Sequence, residues 1–497
     1  MKPQLKAVII GSGIAGIATA VRLAVQGFEV TVYESNNYPG GKLSDFQLNG
    51  FHFDTGPSLF VQPQNIEELF QFADENIQEY FEYISVPITA KYFYEDGIAI
   101  TAWGDAEKFA KELSVKIGEN PDKVKQYLYQ SKKLYESVGT VFLSRSLHKQ
   151  KTFFSSAIVK AFNAVSWKYL FKTLNELNVA SFTKSHTVQL FNRYATYNGS
   201  NPFKASAMLS LIPHLEFNEG VFYPKGGMIS ITQALYKLAI EKGVRFQFNT
   251  TVQRIIYHGE EVKGIVVNNE NIYANVVVSN ADVYSTHKYL LRDETKAAKL
   301  LKSDRSSSAI IFYWGINKEF QQLELHNVFF SKNYKAEFDN IFNYKRLYND
   351  PTIYINVTSK RDPSHAPAGK ENWFVMVNAP INVGQNWNGL KQQCKENIFE
   401  KLNRMLQTKI EPLIEAEETL DPVSLENKTG SFMGAIYGAS SNKVKAAFLR
   451  HPNFSKHVHG LYFAGGTVHP GGGIPLCLKS AKIVSELIQH DTEHPKH

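Results

Sequence analysis

A chain of 497 residues exceeds what one hydrophobic core usually holds, so two or three domains are expected. Hydrophobic content of 43% is ordinary for a globular enzyme, and a net charge of +7, with 54 basic residues interleaved among 47 acidic ones, argues against a nucleic-acid-binding surface. The two cysteines, Cys394 and Cys477, are far apart and support neither a disulfide framework nor a metal site, which fits a reducing compartment.

The chain enters its first strand near Ala7, leaving no room for a signal peptide, and Val8-Ile9-Ile10 reads as that strand, buried. Gly11-Ser12-Gly13-Ile14-Ala15-Gly16 follows, then an amphipathic helix (Ile17, Ala20, Val21, Leu23, Ala24) and a second strand, Glu29 to Tyr33, ending at Glu34. Each glycine has a physical job. Gly11 makes the tight turn, Gly13 admits a pyrophosphate to the backbone, and Gly16 lets helix and strand pack closely. The phosphates would sit on the helix N-terminus while the Glu34 carboxylate takes a ribose diol, a dinucleotide site. Gly40-Gly41-Lys42, a glycine pair with a cation so soon after the acid, resembles FAD-binding oxidoreductases rather than NAD dehydrogenases. Phe46 to Leu48 reads as a short strand, and Phe53-Asp54-Thr55-Gly56-Pro57-Ser58 leads into a rigid loop with donors free to face a ligand.

Alternation from about 83 to 103 predicts a hairpin turned at Glu95-Asp96-Gly97, and residues 105 to 180 read as helices. Within them, no acid occurs between Glu136 and Glu176, while Arg145, Lys149, Lys151, Lys160, Lys168 and Lys172 alternate with large aromatics. Among those are Phe142, Phe153, Phe154, Trp167, Tyr169 and Phe171. Cations with aromatics and no acids suit an interfacial segment on an anionic bilayer, and a solvated helical face over a core is the alternative. No run of about 18 apolar residues exists, so membrane contact is expected to be peripheral.

Tyr223-Pro224-Lys225-Gly226-Gly227-Met228 is a turn opening a helix from Ile231 to Ile240. Short strands are expected at Phe246 to Asn249, Val252 to Ile256 and Val262 to Val267, and a buried parallel-type strand from Asn275 to Ser279 ends in Asn280-Ala281-Asp282. Residues 295 to 425 carry strands at Ala309 to Gly315 and Trp373 to Val377 and a long helix near Leu390 to Leu406. Leu461 to Ala464 is a strand running into five glycines between Gly465 and Gly473, and Leu476 to Ile488 is a helix with Pro475 in its first turn. That helix N-terminus is a second anion-compatible dipole end, suited to an electron-rich flavin edge.

Six stretches together, Gly11 to Gly16, Glu34 to Lys42, Phe53 to Ser58, Tyr223 to Met228, Val277 to Asp282 and Gly465 to Pro475, resemble the carotenoid (phytoene) desaturase family of FAD-dependent oxidoreductases over the whole chain. Gly-Gly-Thr-Val-His-Pro-Gly-Gly-Gly-Ile-Pro-Leu at the end looks like the hydroxycarotenoid 3,4-desaturase branch rather than phytoene desaturases proper, and the Gly-Asp pair of many FAD amine oxidases is absent at Gly465-Gly466.

The resemblance implies an α/β chain, α+β overall, with a Rossmann-like FAD-binding domain over 1–80, 216–292 and 430–497. It implies a sheet-based substrate domain over 81–104 and 293–429, and a helical, membrane-facing subdomain over 105–215. FAD contacts are implied at Gly11, Gly13, Ala15, Gly16, Glu34, Gly41 and Lys42. Further contacts are implied at Gly56, Pro57, Ser58, Val252, Asn280, Gly466, Gly473 and Ile474.

The implied reaction inserts a C=C bond into an acyclic or hydroxylated carotenoid by hydride transfer to flavin N5 and proton loss, with oxygen or a quinone as electron acceptor. His469 is the one titratable side chain inside the glycine cluster, either a proton acceptor or an orienting residue. A cytoplasmic protein on the inner face of the membrane, held through about 137–175, is expected. Phytoene or neurosporene desaturation, flavin-dependent isomerisation, small-amine oxidation and non-catalytic carotenoid carriage are the competing readings.

Overall fold

The computed structural model describes residues 4–139, 142, 143, 145, 146, 148, 167–442 and 450–494. Strand Lys6–Ile10 is the centre of a five-stranded sheet ordered Leu461–Phe463, Val276–Ser279, Lys6–Ile10, Glu29–Tyr33, Arg245–Gln247. Every pairing in it is parallel. Its central strands are continuously apolar because both faces are covered. Helices Ile14–Val25, Ile229–Glu241 and Ile474–Glu493 share one core with Ile9 and Val278. On the other face, Val8, Ile10, Val277 and Phe463 pack against a three-stranded antiparallel sheet, Val252–His258, Glu261–Val267 and Glu270–Tyr273.

A seven-stranded sheet runs Ile414–Leu420, Ser308–Ile316, Glu371–Ala379, Ile353–Asn356, His326–Phe329, Ile88–Phe93, Ala99–Trp103. All nine residues of Ser308–Ile316 are buried, because alternate side chains face two different cores. Ile310, Phe312, Trp314 and Ile316 meet helix Trp387–Leu406, whereas Ile311 and Tyr313 meet Phe51 and Phe53 from the Asp45–Leu48/Phe51–Asp54 hairpin. Gly315 is required there: a Cβ would stand 2.5 Å from the Phe51 ring.

Helices Ala106–Ile117, Pro121–Leu134, Leu174–Ser181 and Ser185–Asn192 form a layer against Tyr92, Ile100 and Ala102 at this sheet's edge. Local signals delimit them. Asp105 caps the first, Gly118 ends it in the left-handed conformation, Asn120 and Pro121 start the second, and Thr173 with Glu176 forms a capping box.

Three elements differ from the sequence reading. Only Ile88–Phe93 and Ala99–Trp103 form the expected hairpin; Pro87 lacks a ladder donor and separates them from Tyr83–Val86, which pairs instead with Val221–Pro224. The strand expected at Phe246 to Asn249 is Arg245–Gln247, and Asn249 turns out of it at a φ of 52°. Most of the acid-free window lies outside the described residues, including Phe153 and Phe154. Within it, Phe142 and Tyr169 are buried in the helical core rather than interfacial, whereas Phe171 is 75% exposed. Among the described residues, no helix is long and apolar enough to cross a membrane.

Candidate active site

The first glycine turn sits across the C-terminal ends of two parallel strands. Gly11, at a φ of 94°, donates its N–H to Tyr33 O at 2.8 Å. Helix Ile14–Val25 then begins at Gly13 without a side-chain cap, so its first-turn N–H groups are open to a ligand. A Cβ on Gly13 would stand 2.7 Å from Asn280 Oδ1, and one on Gly16 would stand 2.2 Å from Gly11 O. Gly13 thus keeps a groove open, while Gly16 lets the helix seat on its own turn.

The Glu34 carboxylate is 6% exposed and already well bonded. Its Oε2 accepts from Ser12 N at 2.8 Å and Ser12 Oγ at 2.9 Å, and its Oε1 accepts from Asn36 N at 2.9 Å and Asn36 Nδ2 at 3.0 Å. The acid therefore ties the glycine turn to the end of the second strand as well as facing the cavity. Gly40 donates to Ser12 O at 2.8 Å, which brings Gly41 so close that its Cβ would lie 3.4 Å from Gly13 Cα. Lys42 Nζ donates to Ile436 O at 2.7 Å; burial pushes its ammonium pKa down, and the nearby Asp282 carboxylate partly restores it. Asp282 Oδ2 is buried without a hydrogen-bond partner. On the C-terminal side, Gly473, at a φ of 105°, starts helix Ile474–Glu493 without a side-chain cap.

These elements face one cavity of about 1200 Å³. Of the residues predicted to contact cofactor, all but Gly16 line it: Gly11, Gly13, Ala15, Glu34, Gly41, Lys42, Gly56, Pro57, Ser58, Val252, Asn280, Gly466, Gly473 and Ile474. A dinucleotide fits this cradle: two uncapped helix N-termini, glycines where a Cβ would intrude, a buried acid and a buried cation. Beyond the cradle the wall is largely apolar, with Met208, Ile212, Leu215, Ile311, Val328 and Met376.

His469 does not join this wall. It is 2% exposed, and its Nε2 lies 2.9 Å from Arg145 O, an acceptor only, so Nε2 carries the proton and donates. Sequence leaves it a proton acceptor or an orienting residue, and here its ring is held by the Arg145 carbonyl.

The sequence reading missed a polar cluster whose Arg193, Glu216, His326 and Tyr354 line the same cavity. Arg193 Nη2 donates to Tyr92 OH at 2.7 Å and reaches Glu216 Oε1 at 3.4 Å, and Tyr194 OH donates to Glu216 Oε2 at 2.7 Å. Burial pushes the Glu216 carboxyl pKa up, and Arg193 opposes that shift. Tyr354 OH lies 2.7 Å from His326 Nδ1 and 2.8 Å from Ser58 Oγ. Arg193, Glu216, His326 and Tyr354 stand on four separate elements, so no local motif could have announced them.

Comparison with known proteins agrees with this architecture. The family model for flavin-containing amine oxidoreductases matches residues 14–489. The chain is 49% identical to a 1-hydroxycarotenoid 3,4-desaturase of Flavobacterium sp. (strain P99-3), over 97% of this chain and 99% of that one. It is 30% identical to a 4,4'-diaponeurosporene oxygenase of Staphylococcus haemolyticus (strain JCSC1435), over 98% and 97% of the two chains. Among solved structures, an oxidoreductase from Methanosarcina mazei shares the fold with a TM-score of 0.68 at 16% identity, over 98% of this chain and 100% of that one. The chain belongs to the flavin-containing amine oxidoreductases and, among them, to the carotenoid desaturase family, on the side of the hydroxycarotenoid 3,4-desaturases.

Proposed function

We propose that this FAD-dependent oxidoreductase desaturates the bond between carbons 3 and 4 of an acyclic, 1-hydroxylated carotenoid. The observation that carries this reading is 49% identity, from end to end, to an enzyme named for that reaction. The apolar continuation of the cavity beyond the glycine cradle supports a polyene as the second occupant.

When bound, FAD would supply the two-electron acceptor for a hydride lost from one of two adjacent carbons, the proton of the neighbouring carbon passing to water. The protein's own residues do the rest. Gly11, Gly13 and Gly41 would keep backbone N–H groups accessible to the pyrophosphate, and Glu34 would accept from the ribose. Lys42 and the N-terminus of Ile474–Glu493, which line the cavity, would hold the electron-rich ring system by positive potential. Met208, Ile212, Leu215 and Ile311 exclude water and hold the polyene extended. The positive charge that develops on hydride loss is allylic to a long conjugated system, so a strong protein base is not required, in keeping with an orienting His469. Electrons leave finally to oxygen or a membrane quinone.

A carotenoid is nearly insoluble in water, so we place the protein on the cytoplasmic face of the membrane, held by the basic, acid-free segment around 137–175. The exposed Phe171 supports this. Six cations at about 1 kcal/mol each near an anionic surface suffice for peripheral binding. Co-sedimentation with anionic liposomes should weaken with salt and vanish when Lys149, Lys151, Lys160, Lys168 and Lys172 become Glu, with FAD still bound.

Incubation with a panel of acyclic and hydroxylated carotenoids tests the reaction. Loss of two hydrogens with a red-shifted polyene spectrum, greatest for the 1-hydroxylated member, is expected. Unchanged product mass would identify an isomerase, and added oxygen would identify an oxygenase.

A further inference from the structure

Among the described residues that line the cavity, several carry buried polar atoms without partners. His326, Tyr334 and Arg193 all line it, and His326 Nε2, Tyr334 OH and Arg193 Nε are buried without a hydrogen bond among the described residues. A buried donor left unmade costs free energy, so such atoms mark strain or a site that a ligand completes.

His326 is the most constrained of the three. It is 2% exposed, at the start of strand His326–Phe329. Asn356 Nδ2 donates to Leu325 O at 2.9 Å, which orients that amide, and the same Nδ2 lies 3.2 Å from His326 Nδ1. Nδ1 therefore accepts. Tyr354 OH, 2.7 Å away, donates to the same nitrogen and accepts in turn from Ser58 Oγ at 2.8 Å. Burial, reinforced by Arg193 and Arg361, lowers the imidazole pKa to about 3, so the ring is neutral. Its single proton is on Nε2, the nitrogen with no partner.

We propose that His326 is a specificity residue whose Nε2–H donates to the terminal hydroxyl oxygen of the carotenoid. This rests on the hydroxycarotenoid reading above and adds to it the group that recognises the hydroxyl. The chemistry of the substrate sets a condition that the site meets. A hydroxyl on carbon 1 stands two carbons from a bond between carbons 3 and 4, so its receptor must lie close to the cofactor side of the cavity. His326 is joined through Tyr354 to Ser58, in the Gly56–Ser58 loop that lines the cavity with the glycine cradle. An anchor there also decides which carbon–carbon bond meets the cofactor. A polyene without the hydroxyl would leave the donor unpaired, and a site built to bond a hydroxyl discriminates strongly on that ground.

The test compares an acyclic 1-hydroxycarotenoid with the same polyene lacking the hydroxyl, using the FAD-loaded protein. Two readouts are needed, equilibrium binding by fluorescence quenching and anaerobic flavin bleaching. Wild-type protein should bind the hydroxylated carotenoid about ten- to a hundredfold more tightly. His326→Leu should bring the two affinities together, and His326→Gln, which keeps an N–H donor, should restore part of the preference. FAD content should stay close to wild type in both variants, with a lower melting temperature in His326→Leu, which leaves Tyr354 OH and Asn356 Nδ2 without their acceptor. Equal binding of the two polyenes by wild-type protein overturns the hydroxyl site, whether or not either is desaturated. A preference that survives in His326→Leu overturns it too. Discrimination in binding without bleaching by either polyene supports the site and removes the desaturation reading instead.

Discussion

The five-stranded and seven-stranded sheets wall the same cavity by different means. In the parallel sheet, chemistry sits where strands end: Gly11, Glu34 and Asn280 all follow a strand's last residue, and backbone N–H groups and glycines do the recognising. In the mixed sheet, chemistry sits within or beside strands, on side chains such as His326, Tyr354 and Tyr313. On the proposed function, FAD would meet backbone together with the Glu34 and Lys42 side chains, whereas the polyene would meet side chains alone. The lesson is that substituting a glycine on one side and a side chain on the other should fail in different ways.

The sharpest contrast is between two neighbouring glycines. Gly13→Val drives a branched side chain toward Asn280 Oδ1, 2.7 Å from where its Cβ would sit, and across the pyrophosphate path. The expected product is a folded protein without flavin absorbance; stoichiometric FAD in that variant would place the phosphate site elsewhere. Gly16→Ala should instead lower the melting temperature, because its Cβ would stand 2.2 Å from Gly11 O.

On the other side of the comparison, Phe51→Ala empties the space over Gly315 in the seven-stranded sheet. Phe51 is 1% exposed, so a loss of about 3–5 kcal/mol is expected in denaturant unfolding. FAD should still bind stoichiometrically under native conditions. Loss of cofactor together with stability would mean that the two sheets are not independent supports.

Glu34→Gln should weaken FAD by about 1.5–3 kcal/mol, roughly ten- to a hundredfold in dissociation constant. Part of that effect comes through the turn, since Glu34 also holds Ser12 N at 2.8 Å. Isothermal titration of the apoprotein measures it, and an unchanged constant would detach Glu34 from the ribose.

The smallest expected effect is on pH dependence, and it falls on both sides. His287 and His451, beside Phe463, have pKa values lowered by burial to about 4 and about 3, and His326 in the other sheet to about 3. Their ordinary value is 6.5. Between 6.5 and these values the unfolded chain binds protons that the native protein does not, so stability rises with pH through that window and is lost on acidification. A melting temperature that falls from pH 7 to pH 5 is expected, with a smaller fall in His451→Phe.

The same contrast explains what could be read without a structure. The first strand, helix and second strand are contiguous, and their glycines and Glu34 fall at fixed offsets, so local spacing carried that half of the cavity. The close-packing role of Gly16 and the last helix with Pro475 were legible for the same reason. His326–Phe329 and Ile353–Asn356 were not, because four-residue strands give periodicity too little length. The Tyr83–Val86 pairing was hidden because its partner lies more than a hundred residues away. Arg193, Glu216, His326 and Tyr354 become a cluster only through tertiary packing, and none stands in a motif of its own.

In the proposed reaction the two parts of the cavity act together, one holding FAD and the other presenting a carotenoid bond to it. Anaerobic single turnover of the FAD-loaded protein with a 1-hydroxylated acyclic carotenoid tests this most directly. One flavin bleached for each new C=C bond is expected, with the polyene absorbance moving to longer wavelength in step. Conversion of the carotenoid with the flavin still oxidised would contradict it.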